Sequence, residues 1–62
     1  MQIAHQIYHE LEAEFTRWDV KQEVVDRGYT IQYAQHILEY LTLSGLVERI
    51  DRGLYAKTGA QK

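Results

Sequence analysis

The chain has 62 residues, a formal net charge of −2 and no cysteine. A chain this short forms one domain, and a domain of about 60 residues buries only ~60% of its unfolded surface, so its stability is marginal. The absence of cysteine excludes a disulfide framework and a thiolate metal site. With 45% hydrophobic residues and no long apolar run, we expect a folded, soluble, cytoplasmic domain without a membrane segment.

The charges are unevenly distributed along the chain. Residues 1–15 contain Glu10, Glu12 and Glu14 but no lysine or arginine, whereas residues 44–62 contain four basic and two acidic side chains. The acidic total argues against a nucleic-acid binder that works by bulk charge alone. The basic C-terminal third nevertheless gives the domain a polarity that docking on nucleic acid can use.

The first predicted element is a helix. Ile3, Ile7, Leu11 and Phe15 recur at every fourth position, which gives an apolar stripe along one helix face. Residues 15–18 break this pattern and predict a short extended connector. The stripe is wide enough to support a homodimer in which two first helices pair.

A second helix is predicted to begin near Asp19, whose side chain would cap it, with Thr16 as an alternative cap that has Asp19 as its partner. Gly28 is expected to end it as a left-handed residue. We expect Trp18 to close the core between the first helix and the C-terminal part of the chain. The narrow apolar face of this second helix consists of three valines, Val20, Val24 and Val25.

Thr30 is predicted to cap a third helix, which Gly45 ends in the same way as Gly28. Its buried face is expected to consist of apolar residues at helical spacing, namely Ile31, Ala34, Ile37, Leu38 and Leu41. Tyr33 and Tyr40 flank that face.

After Gly45 the hydrophobic period changes to two. Leu46–Ile50 and Leu54–Lys57 are predicted strands, joined by Asp51-Arg52-Gly53 as a type I turn followed by a left-handed glycine. Residues 1–57 are thus predicted to form the domain, and residues 58–62 a flexible tail.

This order of elements resembles the winged helix-turn-helix family. The resemblance covers residues 15–57 and rests on the apolar spacing of the third helix, followed by Ser44-Gly45-Leu46-Val47, then Glu48-Arg49, then Gly53-Leu54-Tyr55. It implies an α+β, mainly helical fold with three helices and a C-terminal two-stranded hairpin, the wing. It also implies binding to double-stranded DNA, with the third helix in the major groove and the wing on the backbone.

Two sets of side chains are candidates for such binding. The predicted reading set is the polar face of the third helix, namely Gln32, Tyr33, Gln35, His36 and Glu39. Glutamine pairs with adenine N6 and N7, and Tyr and His donate to phosphates or base acceptors. The predicted backbone set is Arg17, Lys21, Thr30, Arg49, Arg52 and Lys57. The alternatives are a solvated, glutamine-rich helix face and basic residues that serve solubility and protect strand edges.

Other chemistry is not expected. His5, His9 and Glu12 share one helix face but lack a fourth ligand for zinc. The glutamates of residues 10–14 point apart on a helix, so they do not form a catalytic pair. A serine nucleophile needs a general base that a third group holds in orientation, and the sequence suggests no such arrangement for Ser44. We therefore expect no enzyme activity, no cofactor, no metal and no small-molecule ligand.

The leading hypothesis is a small transcriptional regulator that binds double-stranded DNA sequence-specifically. The alternative is a winged-helix protein–protein interaction module in a larger assembly, without direct DNA contact. It is suggested by the acidic total and by the absence of lysine and arginine from the third helix. It predicts an exposed apolar or aromatic patch around Tyr29, Tyr40 and Leu43.

Overall fold

The computed structural model describes residues 2–58, which form three helices and a three-stranded antiparallel sheet. The elements in chain order are α1 (Gln2–Glu10), β1 (Glu14–Thr16), α2 (Arg17–Asp26), α3 (Tyr33–Leu43), β2 (Val47–Asp51) and β3 (Leu54–Lys57). The predicted α+β, mainly helical, winged-helix layout is confirmed. The wing has three strands rather than the two predicted, because β1 joins the C-terminal hairpin. No helix in this part of the chain has the length and apolar character needed to cross a bilayer.

All three helices contribute to one hydrophobic core. Its buried members are Ala4, Ile7, Tyr8, Leu11, Phe15, Val20, Val24, Ala34, Ile37, Leu38, Leu41 and Val47. The buried residues of α1 (Ala4, Ile7 and Tyr8) belong to this core, and Ile3 packs against it partly buried. The apolar stripe of α1 is therefore buried in the core of its own domain. A face buried in this way gives no support to the predicted dimer of first helices.

Phe15 reaches the core from a strand and not from the first helix. α1 ends at Glu10, and Phe15 pairs with Tyr55 in the register between β1 and β3. The two rings stack with centroids 5.9 Å apart. Residues 15–16 of the predicted connector thus belong to the edge strand in the order β1-β3-β2, whereas residues 17–18 begin α2.

Trp18 was predicted to lie in the core, and this was wrong. Its side chain is 60% exposed. Because α2 begins at Arg17, Trp18 lies more than 100° around the helix from the buried residues Val20 and Val24. Val25 shares this outer side and is 50% exposed, which also corrects its assignment to the apolar face.

A capping box begins α2 at Thr16, so the alternative cap is confirmed and Asp19 is not the cap. The backbone N–H of Asp19 donates to Thr16 Oγ1 at 3.2 Å, and the Asp19 carboxylate accepts from the Thr16 N–H at 2.8 Å. Two backbone N–H groups at the start of α2 are thereby satisfied.

We expect Thr16→Ala to lower the free energy of unfolding by about 1 kcal/mol, because the N-cap acceptor is lost. Urea denaturation followed by circular dichroism measures this. Thr42→Ala is the matched control, because the Thr42 hydroxyl bonds back to the Leu38 carbonyl within α3 and caps nothing. An equal loss of stability in both variants would contradict the capping role.

α3 begins later than predicted. Instead of a side-chain cap at Thr30, the Thr30 carbonyl accepts from the Tyr33 N–H at 3.0 Å, and the Ile31 carbonyl from the Ala34 N–H at 3.1 Å. These tight turns leave Ile31 outside the helix and 47% exposed, so its predicted place in the core was wrong. The end of α3 was predicted correctly, because Gly45 follows the C-cap with a φ of +83°.

The predicted C-terminal hairpin is confirmed. Asp51 pairs with Leu54, so the loop is shortened to Arg52-Gly53, and the register slips between Arg49 and Asp51. Gly53 has a φ of +70°, the left-handed conformation that glycine adopts without strain.

Thr58, the first residue of the predicted tail, is held by hydrogen bonds. Its N–H donates to the Leu46 carbonyl at 3.1 Å, and its hydroxyl donates to the Gly45 carbonyl at 2.7 Å. These bonds attach Thr58 to the loop after α3, so the folded domain extends through residue 58 and not only to residue 57. Residues 59–62 of the predicted tail lie outside the described residues.

Candidate nucleic-acid interface

A groove forms where the start of α2 meets the start of α3. Its volume is about 210 Å³, and its lining residues are Arg17, Lys21, Ile31, Gln32, Ala34 and Gln35. It therefore joins two members of the predicted backbone set with two members of the predicted reading set. We call this surface the basic groove.

The tip of the hairpin lies beside the basic groove. The Arg17 N–H donates to the Gly53 carbonyl at 3.0 Å, and Arg17 Nη2 lies 3.9 Å from the position that a Cβ would occupy on Gly53. Arg52 directly precedes Gly53 in the loop, so its backbone lies near the start of α2. Arg17 thus links the start of α2, the wing tip and the start of α3.

The polar face of α3 points away from the core. Gln32, Gln35, His36 and Glu39 are all exposed. Gln35 Nε2 donates to Glu39 Oε2 at 3.3 Å, so two members of the predicted reading set are in direct contact. An amide nitrogen carries two N–H donors, and this bond leaves the second donor and the amide oxygen of Gln35 available.

Tyr33 does not lie on this exposed polar face of α3. It is partly buried against the core, and its ring stacks on Tyr29 with centroids 5.2 Å apart. The ring of His36 is also close to Tyr33, with the ring centroids 6.1 Å apart and the planes tilted by 48°. Tyr33 therefore occupies the flank of α3, next to the α2–α3 turn.

The rest of the predicted backbone set is dispersed. Lys57 Nζ lies 4.6 Å above the ring of Tyr8, and Lys57 pairs with Val47 at the end of the hairpin farthest from its tip. Arg49 lies opposite Tyr55 in the middle of the hairpin. Thr30 is exposed in the turn before Ile31, at the edge of the basic groove.

The cations of the basic groove and of the wing tip form no ion pair within residues 2–58. The one ion pair in this part of the chain joins Arg27 to Glu23 at 3.3 Å, whereas Arg17, Lys21 and Arg52 form none. Acidic side chains collect on the other side of α2. A second groove of about 180 Å³ there is lined by Glu10, Leu11, Glu12, Phe15, Asp19, Gln22 and Glu23. α2 therefore separates a basic side of the domain from an acidic side.

The histidines of α1 make different contacts from each other. His5 Nε2 lies 3.2 Å from the Tyr40 hydroxyl, while the ring of His9 lies against Tyr8. Across the described part of the chain, no three His, Cys, Asp or Glu side chains converge as a metal site requires.

Sequence reasoning missed two features of the interface. Ile31 lines the basic groove although it was assigned to the core, and the hydrogen bond from Arg17 to Gly53 ties the wing tip to α2. The exposure of Ile31 has a weak signal in the sequence, because a β-branched residue is unfavourable directly after a helix cap. No local pattern signals the second, because 36 residues separate its partners.

Comparisons with protein-family models, with curated proteins and with solved structures find no match in any of the three. The class of the protein is therefore defined by its own architecture. That architecture is a winged-helix-like domain, three helices closed by a three-stranded sheet.

Proposed function

We propose that this chain is a small cytoplasmic regulator of transcription that binds double-stranded DNA sequence-specifically. In this proposal α3 enters the major groove and the wing tip lies on the phosphate backbone. The observation that carries the proposal is the junction at Arg17, which adjoins the wing tip and, together with Lys21, lines one groove with the exposed glutamines at the start of α3.

The cations of this junction supply the attraction to phosphate. Arg17 and Lys21 lie on one side of the glutamines, and Arg52 lies at the wing tip, so they flank the part of α3 that would enter the groove. Charged contacts to phosphate set register and affinity but carry no sequence information. The acidic groove on the opposite side of α2 is repelled by DNA and would orient the approach.

The glutamines supply the reading of bases. With one amide N–H held by Glu39, Gln35 retains one donor for adenine N7 and its oxygen for adenine N6. Residues 33–43 contain no arginine or lysine, so α3 lacks the side chains that most often read guanine. We therefore expect sites with adenine at the positions facing Gln32 and Gln35.

The test is DNA binding measured by fluorescence anisotropy on randomised duplexes, with selection of the bound fraction. Three phosphate contacts predict a slope of roughly −3 in log K against log salt concentration. We expect a weak, salt-sensitive complex that favours A·T pairs in the selected core. Absence of any complex at micromolar protein in low salt would contradict the proposal.

The alternative, a protein–protein interaction module without direct DNA contact, has one observation in its favour. Leu43 is 88% exposed on a helix whose other leucines are buried. The predicted patch is otherwise divided, because Tyr29 stacks on Tyr33 and Tyr40 contacts His5. If the chain bound no duplex in the selection experiment but formed a stable complex with a protein partner, this alternative would be favoured.

A further inference from the structure

A third groove lies between α3 and the hairpin. Its volume is about 320 Å³, and its lining residues are Gln35, Leu38, Glu39, Thr42, Leu43 and Tyr55. We call it the apolar groove. Leu38 is buried and forms its floor, whereas Leu43 at its rim is 88% exposed. Among the large apolar side chains of residues 2–58, none is more exposed than Leu43.

We propose that a second copy of this chain docks on the apolar groove about a two-fold axis. A two-fold interface uses the same patch on both subunits, so the patch must be complementary to itself. This one offers a projecting leucine next to a groove wide enough for an aliphatic side chain. Rotation about an axis through the patch brings Leu43 of each copy over the groove of the other.

The charges at the groove walls fit the same arrangement. Glu39 lies on the α3 wall. Arg49 pairs with Tyr55 across β2 and β3, and paired residues of antiparallel strands share a sheet face, so Arg49 lies on the hairpin side of the groove. A two-fold axis that runs along the groove, parallel to α3, lays the α3 wall of one copy over the hairpin wall of the other. Glu39 then faces Arg49 of the second copy, and neither forms an ion pair within residues 2–58.

Pairing through the exposed edge of β2 is a less favourable way to form a dimer. A two-fold axis perpendicular to the sheet must place one residue opposite its own copy. In the middle of β2 that residue is Glu48 or Arg49, and like charges directly opposite each other destabilise a strand pair. The register slip before Asp51 further interrupts this edge, as bulges on edge strands do.

The expected association is weak. The accessible surface of the domain is 4242 Å², so a standard interface of about 800 Å² per partner would cover roughly a fifth of it. The apolar groove follows α3 from Gln35 to Leu43, about 12 Å of helix. An interface of this extent is at the low end of the size range, and we expect a dissociation constant of roughly micromolar or weaker.

Sedimentation equilibrium of the full chain, from micromolar concentrations to about 1 mM, tests the proposal without DNA. We expect the wild type to shift from monomer to dimer and Leu43→Glu to remain monomeric. Val25→Glu is the matched control, because Val25 is 50% exposed on the outer side of α2, and it should dimerise like the wild type. A wild type that stays monomeric throughout, or a Leu43→Glu variant that dimerises equally well, would overturn the proposal.

A charge exchange tests the two-fold geometry. Glu39→Arg and Arg49→Glu should each weaken the dimer about tenfold by opposing like charges, and the double variant should restore it. Circular dichroism verifies that each variant is folded. If the double variant associates no better than the single ones, the proposed axis is wrong. The result is independent of DNA binding, since no nucleic acid is present.

Discussion

Phe15→Ala is expected to lower the free energy of unfolding by several kcal/mol. Phe15 is 2% exposed, and removal of a buried phenyl ring costs about 3–5 kcal/mol. At ~0.05–0.15 kcal/mol per residue, a domain of this length has a total stability of roughly 3–9 kcal/mol. The substitution therefore removes about a third of the stability or more, up to complete unfolding. Circular dichroism before and during urea denaturation measures the loss, and Phe15→Leu, which keeps most of the apolar volume, should remain folded.

Trp18→Ala is the control for this prediction. It removes a larger ring, but that ring is 60% exposed, so we expect a change in the free energy of unfolding of about 0.5 kcal/mol or less. If Trp18→Ala destabilised the chain as much as Phe15→Ala, the positions of β1 and of the start of α2 would be wrong.

The double variant Arg17→Glu/Lys21→Glu is expected to lower the affinity for the selected duplex by about 100-fold or more. Like charges placed against phosphate cost several kcal/mol, and each 1.4 kcal/mol is a factor of ten in affinity. Glutamate at position 17 lies in the first turn of α2, where the helix dipole favours negative charge, and at position 21 glutamate is a good helix former. Fluorescence anisotropy at fixed, low salt measures the change.

Arg49→Glu/Lys57→Glu is the matched control, since it changes the net charge by the same amount. Lys57 lies over Tyr8 and Arg49 lies in the middle of the hairpin, so neither lines the basic groove. At protein concentrations at which the wild type is monomeric, we expect only a few-fold loss, from the change in overall charge. An equal loss in both double variants would mean that binding depends on total charge and not on the basic groove.

Local signals in the sequence predicted the fold well. Gly28 and Gly45 follow α2 and α3 with φ of +88° and +83°, and these end signals depend on a single residue. The hairpin was predicted because its turn and its alternation lie within a dozen residues. The strand β1 was not, because a three-residue strand is stable only through its pairing with β3, about forty residues further along. Phe15 fits a helical spacing and a strand equally well.

The composition of the candidate site was less predictable. Residue type identifies the cations, but tertiary structure decides which of them meet. Arg52 and Lys57 are in one hairpin, yet one lies at its tip and the other contacts α1. Tyr33 was assigned to the reading set from its polarity, but the stacking on Tyr29 turns it to the flank of α3. Such choices depend on contacts between distant residues, which periodicity does not encode.

Gln35 lines both the basic groove and the apolar groove. If both proposals hold, DNA and a second copy of the chain compete for the same helix. By mass action, the free monomer then rises only as the square root of the total concentration once dimers dominate. Occupancy of a DNA site would then respond weakly to fluctuations in expression. Because the two surfaces overlap at one glutamine, dimerisation would make the effect of the regulator less sensitive to its own abundance.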